Sequence, residues 1–111
     1  MYTTDIYHLT DDIIIAHYKT AMRPKKGEYT ITALYSGQDH YILSHYSFLQ
    51  PTYYQHFGTH RVKYTLHLKT FLQLLQALKD DWYTTDEDSR FYDDCYGLYS
   101  DMLYTIGIEL V

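Results

Sequence analysis

An α+β domain is the fold class that this sequence predicts, with an N-terminal helix, a three-stranded antiparallel sheet and two C-terminal helices packed on the sheet. Three observations carry that expectation. Leu68, Phe71, Leu72, Leu75, Leu78 and Trp82 recur at steps of three and four residues, the period of an amphipathic helix. Tyr29, Ile31, Ala33 and Tyr35 alternate with Thr30, Thr32 and Leu34, the period of a half-buried strand. The helical patterns flank the strand patterns instead of alternating with them, which argues against a parallel βαβ arrangement.

The elements follow in order. Thr10 offers an N-cap oxygen, and Asp11 and Asp12 place carboxylates at the positive end of a helix dipole. Ile14, Ile15, Tyr18 and Met22 then share one face, and Arg23-Pro24 stops the helix. The strand from Glu28 to Ser36 is expected to turn through Ser36-Gly37-Gln38-Asp39 into a second strand from about His40 to Phe48, which Pro51 ends. Thr52 to Gly58 reads as irregular, and a third strand runs from about His60 to Leu66. The clearest helix covers about Leu68 to Asp81. Thr84-Thr85-Asp86-Glu87-Asp88 has the capping-box spacing twice, Thr84 with Glu87 and Thr85 with Asp88, so another helix is expected to begin near Asp86. Its buried stripe is Phe91, Cys95, Leu98, Met102 and Ile106, while Gly97 weakens it or permits close backbone packing. Residues 106 to 111 fit either a helical tail or a short added strand.

The 111 residues form one domain, 1–111, large enough to bury roughly 65% of its unfolded surface without staples. A single cysteine, Cys95, excludes an internal disulfide and points to a reducing compartment. No basic leader precedes an apolar core and no apolar run approaches the ~20 residues of a membrane span. A soluble cytoplasmic protein with no membrane contact is the expectation. Fifteen tyrosines are unusual, and most suit strands and helix faces, with a few left for a partner surface.

Charge is distributed very unevenly. Residues 80–111 hold nine of the fourteen Asp and Glu against one base, Arg90, and come to −8, whereas residues 1–79 come to +3. The whole-chain value of −5 conceals this split. First-turn acids stabilise a helix start, which accounts in part for Asp86, Glu87 and Asp88. Asp80 and Asp81 lie instead near the C-terminal end of their helix, where negative charge is unfavourable, and Asp93 and Asp94 extend the run. A surface that tolerates such self-repulsion gains when a cationic partner relieves it.

Catalytic chemistry finds no footing. His56 and His60 stand four apart, but the residues between them read as loop, and His40 and His45 would point to opposite faces of a strand. Cys95 falls on a buried stripe, where a thiol is inert packing. Phosphate loops, nucleophile elbows and calcium loops are absent from the sequence. No cofactor, no metal and no enzymatic activity are expected. The basic cluster Arg23, Lys25 and Lys26 fits a solvated turn.

The run Ala77-Leu78-Lys79-Asp80-Asp81-Trp82, an acidic linker, and Phe91-Tyr92-Asp93-Asp94 nine residues after the tryptophan resemble the small acidic anti-CRISPR proteins of phages that inhibit type II-A effector nucleases. The resemblance is close over about residues 70–95. It implies a helix, a three-stranded antiparallel sheet and two helices, whose acidic helix-to-helix loop enters the cleft where the nuclease reads its short DNA motif. Carried across, it makes Asp86, Glu87 and Asp88 the acids that meet the motif-reading arginines, Asp93 and Asp94 their support, and Asp39 a lesser contact. The chain departs from the family in its length, its Tyr and His content and its segment from Pro51 to His60. The implied activity is a non-enzymatic inhibitor in the infected bacterial cell. It would bind a type II CRISPR effector nuclease loaded with guide RNA, without binding DNA itself, through a DNA-mimicking surface that includes Asp80 and Asp81. A Tyr-rich assembly protein that builds a homo-oligomer is the rival class, and a small hydrolase a distant third.

Overall fold

The computed structural model describes residues 1–22, 28–34, 38–49, 51–56 and 59–111. The mixed helix-and-strand class holds. Strand β1 (Tyr2–Thr4) leads through a 3-10 turn (Ile6–His8) to helix α1 (Asp11–Met22), followed by β2 (Glu28–Leu34), α2 (Gln38–Leu43), β3 (Pro51–His56), β4 (Thr59–His67), α3 (Leu68–Thr84), α4 (Arg90–Thr105) and β5 (Ile108–Leu110).

The sheet arrangement differs from the one expected. A two-stranded parallel sheet joins β1 to β5, the two ends of the described chain, and β2, β4 and β3 pair antiparallel in that order. The segment from His40 to Phe48 is not a strand, and the expected hairpin through Asp39 does not form: Asp39 lies on the helical backbone of α2. Ser36 and Gly37 of that turn, Arg23-Pro24 at the expected helix stop, and the cluster with Lys25 and Lys26 lie outside the described residues. Burial explains the change, because Ile42, Leu43, Tyr46 and Leu49 are covered while Ser44, His45 and Ser47 are exposed. Those spacings of one, three and three fit helical turns and not alternation. Backbone bonds from His45 to Ile42, Tyr46 to Leu43 and Leu49 to Tyr46 continue the turns. The stretch expected to be irregular supplies the missing strand, and Pro51 opens it instead of ending one, a position where a proline costs no ladder bond.

The helices are nearer to expectation. On α1, Ile14 and Tyr18 are buried, and the Tyr18 hydroxyl donates to the Leu66 carbonyl at 2.7 Å, tying α1 to β4. On α3, Phe71, Leu74, Leu75, Leu78 and Trp82 are buried, each contributing about 1.5–3 kcal/mol if fully removed from water. Helix α3 packs on β4 and β2, whereas α4 packs on α3, α2 and β5. The two C-terminal helices therefore do not both lie on the three-stranded sheet, because α3 takes the sheet and α4 buries its stripe against α3. That stripe is Cys95, Leu98, Tyr99, Met102 and Leu103, with Ile106 just beyond.

Residues 106–111 form a strand. Gly107, at φ 88°, turns the chain out of α4, and its carbonyl accepts from the Tyr2 N–H at the start of the parallel pair. The close backbone packing considered above for Gly97 is not found. A Cβ built there meets nothing within 4 Å, so no neighbour demands a glycine. Gly97→Ala is expected to raise stability by about 0.5–1 kcal/mol, read as a higher denaturation midpoint with an unchanged m-value.

Candidate functional site

The acidic residues gather where α3 hands over to α4, and the local chemistry of that reversal decides which of them stay free. Helix α3 runs three residues further than its apolar pattern suggests. The Thr84 hydroxyl donates to the carbonyls of Asp80 and Asp81 at 3.0 and 3.3 Å, and the Thr85 hydroxyl donates to the Asp81 carbonyl at 2.6 Å. Both hydroxyls are thereby directed into α3, so neither expected capping pair, Thr84 with Glu87 or Thr85 with Asp88, forms. The cap of α4 is Ser89, whose hydroxyl accepts from the Tyr92 N–H at 3.1 Å. Asp86, Glu87 and Asp88 consequently stand in the loop and not in the first turn of α4, where the acid is Asp93.

This loop is held by short bonds of its own. The Asp86 carboxylate accepts from the Asp88 N–H at 3.0 Å and the Asp86 carbonyl from the Ser89 N–H at 2.9 Å, a local turn of the kind aspartate favours. Trp82 fixes both helices beside it. Its ring lies 4.7 Å from Tyr99 and 5.4 Å from each of Tyr83 and Tyr96, all edge-on, and only 2% of the residue is exposed. Trp82 is therefore a structural pin between α3 and α4, and the surface aromatics available beside the acids are Tyr83 and Tyr96. Lys79 Nζ sits 5.7 Å from the centroid of the Tyr83 ring.

The expected site residues divide into three groups. Asp80, Asp86, Glu87, Asp88 and Asp93 are exposed, with Asp80 accepting from the Gln76 amide at 2.8 Å. Asp81 and Asp94 are turned aside. Asp81 accepts the Tyr46 hydroxyl at 2.7 Å, which locks the segment after α2 to the end of α3. The Asp94 side chain is 11% exposed and lies 3.8 Å from Arg90 Nε, the one base of this region. Asp39 belongs to α2, away in sequence and on a separate element. Asp101, exposed and two turns along α4 from Asp93, was missed in the sequence; its eight-residue spacing from Asp93 is the signal.

Behind the ridge lies a protonated cluster. Burial, then the hydrogen bond to the Asp81 carboxylate, raises the Tyr46 phenol well above its ordinary value. Burial likewise pushes the Cys95 thiol up to about 11, against the hydrogen bond with Tyr46 that lowers it. Cys95 is completely covered and its thiol is the weakly nucleophilic, protonated form at neutral pH. Among the described residues no three His, Cys, Asp or Glu side chains gather to hold a metal, and His56 and His60 lie on the paired strands β3 and β4 instead of one helix. No helix among the described residues is long and apolar enough to cross a membrane. Comparison with protein-family models, curated proteins and solved structures gives no significant match.

Two measurements follow from the cluster. Tyr46→Phe leaves the Asp81 carboxylate without its donor, and a loss of about 1–2 kcal/mol is expected in chemical denaturation. The second concerns alkaline pH. The unfolded chain ionises Cys95 near its ordinary 9.0 while the folded chain holds it protonated to about 11, so this stabilisation is complete below pH 9 and is lost as pH rises toward 11. The thermal midpoint should fall across that window, and Cys95→Ala should make the fall shallower.

Proposed function

We propose that this chain is a non-enzymatic inhibitor that binds the cationic cleft of a nucleic-acid-reading protein, with a guide-loaded type II CRISPR nuclease as the target. One observation carries it. Asp80, Asp86, Glu87, Asp88 and Asp93 are exposed on one helix-to-helix reversal, where five acids outnumber two nearby bases, Arg90 beside the mostly covered Asp94 and Lys79 over the Tyr83 ring. Proteins that read DNA present Arg and Lys to phosphates and base edges, and carboxylates held on a fixed frame satisfy the same groups. Tyr83 and Tyr96 flank the acids as anchors of the kind that dominate protein interfaces.

The specific target comes from the resemblance around Trp82. In that family the helix-to-helix loop is the acidic element, and here Asp86, Glu87 and Asp88 occupy that loop. The α2 helix and the β1–β5 pairing are additional to the element order of the family. The mechanism is stoichiometric: the inhibitor occupies the motif-reading arginines and target DNA is shut out. Association should be fast and salt-sensitive, since exposed charges are screened beyond about 8–10 Å at physiological ionic strength.

The combined variant Asp86→Ala, Glu87→Ala, Asp88→Ala should keep its circular dichroism and lose affinity for the nuclease–guide complex by roughly a hundredfold or more. Unchanged affinity, or affinity indifferent to salt, would overturn the proposal. Asp81→Asn should instead lower stability while leaving affinity nearly intact, because that carboxylate faces Tyr46.

A further inference from the structure

A cleft of about 40 Å³ opens between the start of α1 and the middle of α3, with Tyr99 of α4 on its lining. Leu9, Ile14, Leu72 and Leu75 form its apolar wall, and Asp11, Gln76 and Tyr99 bring oxygen atoms to it. A water needs roughly 10–15 Å³ of such space, so the cleft holds roughly three water-sized groups.

Tyr99 is the group that calls for an occupant. The residue is 4% exposed, its ring is fixed edge-on against Trp82 at 4.7 Å, and its hydroxyl has no hydrogen-bond partner among the described residues. An unbonded hydroxyl sealed inside a protein is costly, and no sealed, unbonded side-chain oxygen occurs among the described residues. The Tyr99 oxygen therefore opens on the cleft. Burial, then Tyr83, then the Asp11 charge push its phenol up to about 12, so it stays a neutral hydroxyl at neutral pH and lies within the field of the Asp11 carboxylate. Gln76 donates its amide nitrogen to Asp80 at 2.8 Å, which leaves its side-chain carbonyl as an acceptor.

We propose that this cleft binds a primary ammonium group on a short alkyl stem, its three N–H bonds accepted by the Asp11 carboxylate, the Gln76 carbonyl and the Tyr99 hydroxyl oxygen. Size and charge select that ligand together. The Asp11 carboxylate repels carboxylates and phosphates, and a planar guanidinium is larger than the space, whereas an ammonium head is water-sized and its methylenes suit the leucine and isoleucine wall. Lys79, the base on the rim, has its Nζ 5.7 Å from the centroid of the Tyr83 ring, where the aromatic face draws its charge. A lysine side chain and a free small amine share this chemistry. The cleft uses none of the loop acids Asp86, Glu87 and Asp88, so the site stands independently of the inhibitor proposal.

Nuclear magnetic resonance of the full chain, titrated with millimolar n-butylammonium chloride at constant ionic strength, tests the site. Saturable shifts should appear at the Tyr99 ring and at the amides of Asp11, Leu72 and Gln76, and sodium butyrate should produce none. Tyr99→Phe keeps the ring and removes an oxygen that the fold does not use, so its denaturation midpoint should not fall while affinity for butylammonium drops by roughly tenfold. Asp11→Asn should weaken binding at least as much, and Lys79→Gln should tighten it severalfold by removing a like charge. Nα-acetyl-lysine methylamide separates the sources: binding equal to that of butylammonium assigns the site to a protein side chain, and binding by butylammonium alone assigns it to a free amine. Shifts that follow ionic strength without saturating, as for a cleft that holds only water, would overturn the proposal. So would unchanged affinity in Tyr99→Phe, a fall in its stability, or weaker binding in Lys79→Gln.

Discussion

Everything presented at the acidic end of the molecule depends on the packing of Trp82. Its ring meets Tyr99 and Tyr96 of α4 edge-on, so the last turn of α3 and the first turns of α4 are held as one body. Burial of a tryptophan contributes about 2–3 kcal/mol or more. The two carboxylates beside it, Asp80 and Asp81, lose only about 0.3–1 kcal/mol each against the negative end of the helix dipole. Packing therefore wins locally, and α3 continues to Thr84 despite the acids in its final turns.

The same comparison separates carboxylates the fold uses from those it leaves to solvent. Asp81 accepts the Tyr46 hydroxyl, and the apolar side chains Ile42, Leu43, Tyr46 and Leu49 bring that hydroxyl to it. Asp94 is covered and has Arg90 nearby. Asp86 uses one carboxylate oxygen to shape its own loop. Glu87, Asp88 and Asp93 remain exposed, as does Asp80 beyond its bond with Gln76. The region is thus an ordered frame carrying free negative charge, and the order comes from aromatic packing, the Ser89 cap and the hydrogen bonds accepted by Asp81 and Asp86, not from the acids left to solvent.

A second constraint operates at the far end of α4. Gly107 adopts a conformation that costs other residues strain, which lets Ile108 reach the core immediately after the helix and lets β5 pair with β1. Tyr18 similarly ties α1 to β4 through a buried hydroxyl-to-carbonyl bond. The terminal segments are accordingly structural members, with Thr4 and Ile108 covered.

Much of this was legible in the amino-acid order. Periodicity located α1, α3, α4, β2 and β4, because an element that buries one face must repeat its apolar residues at its own geometric period, and the segregation of acid in residues 80–111 needed no structure to see. Only the tertiary structure decided the rest. A short segment such as 38–49 has too few residues for its period to speak clearly, and becomes helical because the space beside β2 and α4 accepts Ile42, Leu43, Tyr46 and Leu49 from turns and not from a strand. The start of α4 moved from Asp86 to Arg90 because α3 runs on to Thr84, so the Thr84 and Thr85 hydroxyls turn back onto carbonyls of the last turn of α3 and Ser89 supplies the cap of α4. The inward turn of Asp81 and the parallel pairing of residues 2–4 with 108–110 join positions far apart in sequence, which no local pattern can register.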